Sequence, residues 1–258
     1  MNLTAPISIK AKYSLTLIGC LLFLVCWEII SYAPPDYSAL VPPLHLIPAA
    51  LLREIRSGFW WNALLSSLSH YLIGLTIGIT SGMFAGALSA RIPVIDALTV
   101  GINRVLRPIP PLAWIPFAIL WFGISRAAAA FIISSGVFWI VYQATFSSIR
   151  AVDPKYDELF RSFGRVGMID TLFRLYLPAA SPGICGGVRS AIAQGWMMVV
   201  AAELFGIAGL GERLWSASGL LATDVVVVYM VTIAIVYSIL DLLYCKIERR
   251  ILKWMPEQ

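Results

Sequence analysis

Several stretches of this chain are each about as long as a bilayer is thick and nearly free of charge: residues 13–33, 62–90, 127–149 and 225–245. A helix needs about 20 mainly apolar residues to cross the roughly 30 Å hydrocarbon layer, whereas a soluble helix needs only one apolar stripe. So many unbroken apolar runs in 258 residues restrict the chain to helices packed within a membrane, because lipid is the one solvent that tolerates apolar surface all round. Composition agrees. Only 13% of the residues are charged and 59% are hydrophobic, against about 25% charged in soluble domains. A water-soluble enzyme, a disordered chain, a collagen-like repeat and a disulfide scaffold are excluded. Cys20, Cys26, Cys185 and Cys245 all lie inside apolar runs and read as small packing residues.

A further apolar run, 183–205, carries Arg189 and Glu203 but is otherwise able to span. Residues 94–123 contain Pro108, Pro110, Pro111 and Pro116, and read as a broken span; irregular backbone at that depth survives only where protein or cavity water satisfies it. The expected fold is an all-α integral membrane protein of about six transmembrane helices in a single domain, 1–258. Orientation follows from lysine and arginine, which favour the cytoplasmic side. With the N-terminus inside, the inner segments carry Lys10 and Lys12, then Arg91, Arg104 and Arg107. The loop 150–180 adds Arg150, Lys155, Arg161, Arg165 and Arg174, and the tail 246–258 adds Lys246, Arg249, Arg250 and Lys253. The outer segments hold only Arg53, Arg56, Arg126 and Arg213. Both termini are therefore expected in the cytoplasm, and the net charge of +5 needs no nucleic acid. Lys10 and Lys12 before an apolar run resemble a signal peptide, but the run is longer than a signal core, and the first helix is read as retained.

The outer loop 34–61 holds Pro34, Pro35, Pro42 and Pro43, with a short helix opened by Pro48 and ending at Gly58. The second outer loop, 206–224, is rich in glycine and serine. Gly74, Gly78, Gly82 and Gly86 recur every four residues in the second span, and Gly187, Ala191 and Gly195 repeat the device in the fifth. Such stripes let another backbone approach closely, either at a moving or subunit-forming interface or in static packing within one subunit. Glu28, His70, Glu203 and Asp241 are ionisable groups at membrane depth, which are costly and often functional. Glu28 and His70 both fall in the outer half and could pair. Asp241 could be neutralised by Lys246 or Arg249.

The loop 150–180 is the most informative segment. Asp153 can cap a helix that Pro154 opens. Tyr156, Leu159, Phe160 and Phe163 then recur at helical spacing, and Gly164 and Gly167 end the helix. A second amphipathic stretch carries Ile169, Leu172, Phe173 and Tyr176 and ends at Leu177-Pro178. An amphipathic helix in the cytosol buries its stripe against its own bundle, the bilayer surface or a partner's groove. No GxxxxGK[ST] phosphate loop is present, nor HExxH, CxxC or GxSxG. If nucleotide is used, another subunit binds it.

Taken together, these residues resemble the permease subunits of bacterial ATP-binding-cassette importers, in the branch of nitrate, sulfonate and taurine uptake. The family's cytoplasmic marker is Glu-Ala-Ala, three residues, Gly, and a downstream Leu-Pro. Here it reads Glu158-Leu159-Phe160, Arg161-Ser162-Phe163, Gly164, then Leu177-Pro178, with larger residues in place of both alanines. Arg107-Pro108-Ile109-Pro110-Pro111-Leu112-Ala113-Trp114-Ile115-Pro116 through Trp121-Phe122-Gly123 is similar to the branch's third-helix signature. Ala201-Ala202-Glu203-Leu204 with Gly209-Leu210-Gly211, and Asp241 through Glu248-Arg249-Arg250, also fit.

The resemblance implies a type I importer permease in the bacterial inner membrane that dimerises and binds two cytosolic ATPase subunits. These would carry ATP and Mg, and the chain itself would hold no cofactor or metal. A periplasmic binding protein would deliver the solute. Tyr156, Glu158, Leu159, Phe160, Arg161, Phe163 and Gly164 would form the coupling helix. Trp114, Phe117 and Trp121 share one helix face by spacing, and with Met197 and Glu203 they are expected to line or gate the route, Glu203 through an arginine or backbone amides. A proton-coupled secondary transporter with Glu28, His70, Glu203 and Asp241 as relay is the first alternative, and its expected inverted repeats are not found. A membrane-embedded enzyme is the second, and no catalytic motif supports it.

Overall fold

The computed structural model describes residues 9–32, 41–162, 164 and 167–255, and every regular element among them is helical. Among the described residues five helices are long and apolar enough to cross a membrane, or six if a bent pair is counted as one span. The elements are α1 (Ile9–Ser31), α2 (Leu46–Arg56), α3 (Phe59–Arg91), α4 (Pro93–Leu106), α5 (Ile115–Phe122), α6 (Arg126–Arg150), α7 (Pro154–Ser162), α8 (Met168–Thr171), α9 (Leu177–Glu203), α10 (Leu210–Gly219) and α11 (Thr223–Ile251). Two compact units are distinguished: residues 1–60 with 214–231, and residues 61–213 with 232–258.

In the first unit, α1 presents leucine, isoleucine and phenylalanine outward almost all round, as a lipid-facing helix does. Its end is fastened to the following loop. Trp27 Nε1 donates to the Pro42 carbonyl (3.0 Å), and Glu28 Oε2 accepts from the Leu44 amide (2.9 Å) with His45 Nδ1 at 3.9 Å from its other oxygen. Glu28 is therefore not the partner of His70. On α2, Ala50 and Glu54 are buried, Glu54 accepts from the Tyr229 hydroxyl (2.6 Å), and Arg53 pairs with Asp224.

The second unit is built on α6. The glycine stripe of α3 lies along it. A Cβ at Gly74 would stand 2.7 Å from Ile133 Cβ, and one at Gly78 would stand 2.6 Å from Val137 Cγ1. At Gly82 and Gly86 it would meet the carbonyls of Phe138 and Tyr142 at 2.7 and 2.6 Å. Only glycine permits this approach. An adjoining face of α6 receives α9, with Gly183 against Ser148, Gly187 against Ala144, and Gly195 close to Val137 and Tyr71. Ala191 is fully buried. The Tyr71 hydroxyl donates to the Ile192 carbonyl (3.0 Å), locking α3 to α9. Arg189 forms a two-bond pair with Asp241 (2.9 and 3.0 Å), so the partner of Asp241 is on α9, not in its own helix's tail. Lys246, Arg249 and Arg250 all lie on α11, which continues to Ile251.

The proline-rich segment is bent by 87° between α4 and the turn opening α5. It follows α6 from end to end: Asp96 pairs with Arg150, Asn103 Nδ2 donates to the Tyr142 hydroxyl (2.6 Å), Pro111 abuts Gly136, and Trp121 packs 5.7 Å from the ring of Phe131. These contacts are spread over most of α6, which is about 37 Å long at about 1.5 Å per residue.

Leu177-Pro178 does not end an amphipathic stretch. It lies at the start of α9, in a run that stays helical from Met168 to Glu203. Pro178 and Pro182 lack the N–H that an α-helix needs, and the chain adapts locally. Residues Leu172–Tyr176 widen into a π turn in which the Leu177 amide bonds to the Leu172 carbonyl. The Ser181 hydroxyl donates to the Pro178 carbonyl (2.7 Å) that the Pro182 ring leaves without a backbone donor. The glycine- and serine-rich loop 206–224 also differs from expectation, since it contains α10.

Candidate functional site

Helix α7 forms where the spacing predicts it. Asp153 Oδ1 accepts from the Lys155 amide (2.9 Å) and Pro154 occupies the first helical position. Tyr156 and Leu159 are each 56% exposed, Glu158 is exposed and Phe160 is half-buried. Gly164 takes a φ of +76°, the left-handed conformation in which helices commonly end. Phe163 and the side chain of Arg161 lie outside the described residues. A groove of about 410 Å³ runs beside the helix, lined by Asp153, Tyr156 and Pro182 among others. A helix with a tyrosine and a leucine held outward has a face prepared for a partner.

Trp114, at the end of the turn before α5, and Phe117 and Trp121 on α5 form an aromatic row with ring centroids 6.1 and 5.7 Å apart, backed by Phe131 of α6. Phe117, Trp121 and Met197 are half or more exposed. Glu203 stands apart from these four: it is fully buried and does not line an open route in this structure. A cleft of about 540 Å³ lies elsewhere, between the proline break, α6 and α9. Its polar lining is Arg107, Gln143, Ser147, Ser190 and Gln194. Arg107 donates to Gln143 Oε1 (3.1 Å), seven residues short of the Arg150 end of α6. Sequence reasoning passed over this cleft because glutamine and serine carry no signal in a hydropathy pattern.

Glu203 is the centre of a buried polar cluster. Its Oε1 accepts from Ser67 Oγ (2.6 Å) and lies 2.6 Å from His70 Nε2, and its Oε2 accepts from the Gly211 amide (2.7 Å). Ser67 Oγ in turn accepts from the Leu210 amide (2.9 Å). Those two amides are in the first turn of α10, where a helix has donors without internal partners and the macrodipole favours negative charge. One carboxylate thus fastens the N-terminal part of α3 and the C-terminal end of α9 to the start of α10. Gly209 is obligatory there, because a Cβ would overlap the Glu203 carboxylate. The sequence signal was present in Ala-Ala-Glu followed by Gly-Leu-Gly, but it did not reveal His70 or Ser67.

Residues 74–253 match the family described as "Binding-protein-dependent transport system inner membrane component". The chain belongs to this family. It is an inner-membrane component of a transport system, an importer permease. The permease is 29% identical to the taurine transport system permease protein TauC of Escherichia coli (strain K12), over 98% of this chain and 93% of that protein. It is also 29% identical to the bicarbonate transport system permease protein CmpB of Synechococcus elongatus, over 93% of this chain and 90% of that one. Among solved structures it is similar to the MetNI methionine ABC transporter in an inward-facing conformation, with a TM-score of 0.60 and 18% identity, over 80% of this chain and 97% of that one. That likeness concerns the fold: a type I importer permease.

Proposed function

We propose that this permease moves a small anionic solute, of the size and chemistry of taurine, bicarbonate or nitrate, under the power of ATP hydrolysed by separate subunits. The exposed apolar face of α7 carries the proposal. Tyr156 and Leu159 stand outward on a helix held by its own cap, and the family marker puts Glu158 and Gly164 in the same segment. In this reading Tyr156, Glu158, Leu159, Phe160, Arg161, Phe163 and Gly164 seat in a groove of a cytosolic ATPase, which binds ATP and Mg. The two termini lie in the cytoplasm, following the lysine and arginine bias. A periplasmic binding protein delivers the solute at the opposite face. The substrate class rests on the relatives named for taurine and bicarbonate transport.

ATP-driven closure needs two ATPase subunits, and one chain supplies one α7. The functional unit is therefore two permeases related by a two-fold axis, most simply two copies of this chain, with two ATPases. The aromatic row Trp114, Phe117 and Trp121 and the exposed Met197 face the route between the copies. The glycines Gly74, Gly78, Gly82 and Gly86 and the stripe Gly187, Ala191 and Gly195 serve as rigid packing within each copy, and Glu203 holds the outer gate in shape. The test is reconstitution of the chain with its ATPase and binding protein in vesicles, followed by uptake of taurine, bicarbonate and nitrate. ATP-dependent accumulation of one of these, with two permeases per two ATPases by native mass spectrometry, is expected. Uptake that follows a proton gradient and ignores ATP would overturn the reading.

A further inference from the structure

An arginine at membrane depth is costly unless something answers its charge. In the second unit Arg150 and Arg189 are each answered by an aspartate, Asp96 and Asp241. Arg107 is treated differently. Its Nη1 donates to the neutral side-chain oxygen of Gln143 (3.1 Å), which leaves most of a guanidinium's five N–H donors unspent. Gln143 lies about 10 Å before the Arg150 end of α6 at about 1.5 Å per residue, on the helix that walls the cleft.

The unspent donors open on the 540 Å³ cleft, whose lining includes no aspartate or glutamate. Its other polar groups are neutral: Gln143, Ser147, Ser190 and Gln194. Amides and hydroxyls around a single cation make a site that repels cations and supplies N–H and O–H donors to acceptor oxygens. The volume fits a small molecule. Trp139 and Met198 supply its apolar wall.

We propose that this cleft is an intramembrane station for an oxyanion, with the Arg107 guanidinium as the charge and Ser190 and Gln194 as neutral donors to the anion's remaining oxygens. A sulfonate, nitrate or bicarbonate matches the planar fork of a guanidinium, which engages two oxygens at once. The proposal rests on the reading that this chain carries the translocation route. A lipid phosphate offers the same chemistry as a free solute, and the free solute is the occupant inferred here, because the cleft is walled by α6 and α9 as well as by the proline break.

The experiment uses the full-length chain with Cys20, Cys26, Cys185 and Cys245 replaced by serine and Ser190→Cys introduced, in vesicles of phosphatidylcholine alone. Two methanethiosulfonate reagents of similar size, one ending in a sulfonate and one in a trimethylammonium group, are compared by labelling rate. The sulfonate reagent is expected to be favoured, and Arg107→Gln to lower its advantage about tenfold, as loss of a focusing charge does. Arg107→Lys, which keeps the charge, should retain most of the preference. Gln194→Glu, which leaves the arginine in place, should lower it as Arg107→Gln does. An anion preference unchanged by both Arg107→Gln and Gln194→Glu overturns the proposal. Phosphatidylglycerol slows the sulfonate reagent at any site through its surface potential, so the reading is the ratio of the sulfonate rates with and without Arg107→Gln: it should stay unchanged on adding the lipid, whereas its collapse to one would show a lipid headgroup in the cleft and overturn the free-solute assignment. Labelling needs neither ATP nor partner subunits, so a negative result leaves the importer reading standing. Intact labelling with no ATP-driven uptake would strike that reading instead.

Discussion

His70 Nε2 lies 2.6 Å from Glu203 Oε1 with both side chains fully buried, and this contact joins α3 to α9 at the point where α10 begins. Removing one partner of a buried, hydrogen-bonded charged group typically costs about 3–5 kcal/mol, because the other is left without its partner in low dielectric. Glu203→Ala strands Ser67, His70 and the Gly211 amide together and should lower the unfolding midpoint of the purified permease strongly. Gly209→Ala should do much the same by displacing the carboxylate, and the double variant should be little worse than either single one. Additive losses on thermal unfolding in detergent would show that the two residues act separately.

The outward face of α7 predicts a separation of folding from assembly. Leu159→Asp replaces an exposed leucine, so the permease should insert and unfold normally. Its recovery with the ATPase should fall by roughly tenfold or more, the scale of a central interface residue. Undiminished co-purification would remove Leu159 from the coupling surface. Phe160 is half-buried, so Phe160→Asp should lower both stability and assembly.

The approach of α3 to α6 can be tested at a single glycine. Gly78→Ala puts a methyl 2.6 Å from Val137 Cγ1 and 2.9 Å from the Ser134 carbonyl, and overpacking of this kind costs about 1–3 kcal/mol. Val137→Ala should recover only part of the loss, since the carbonyl cannot retreat. Gly101→Ala is the control, because nothing lies within 4 Å of its Cβ position. Equal unfolding midpoints for the Gly78 and Gly101 variants would mean that α3 and α6 adjust freely.

Exposure of the aromatic row yields a test of the route. In a chain lacking the four native cysteines, Trp121→Cys and Met197→Cys should react with a water-soluble thiol reagent in the assembled transporter, at rates that change when ATP and a transition-state mimic close the ATPases. Val137→Cys, fully buried, should stay unreactive throughout. Rates at both positions 121 and 197 that ignore nucleotide would put them against lipid.

The spans themselves follow from local composition, which is why the sequence alone locates them. A run of about 20 apolar residues must cross wherever its neighbours lie, and the Asp153-Pro154 pair starts α7 through contacts two residues long. The proline break within the third span is local as well, since a ring without an N–H interrupts any helix. Partner choice is different in kind. Glu28 takes Leu44 and His45, His70 takes Glu203, and Asp241 takes Arg189; each choice depends on which helix lies alongside and at what height, and hydropathy is silent on both. Arg107 likewise meets Gln143 only because the proline segment packs against α6. The sequence by itself determined which runs are apolar enough to span and where α7 begins; tertiary packing alone decided where the buried charges are satisfied, because in lipid that requires the right neighbour within about 3 Å.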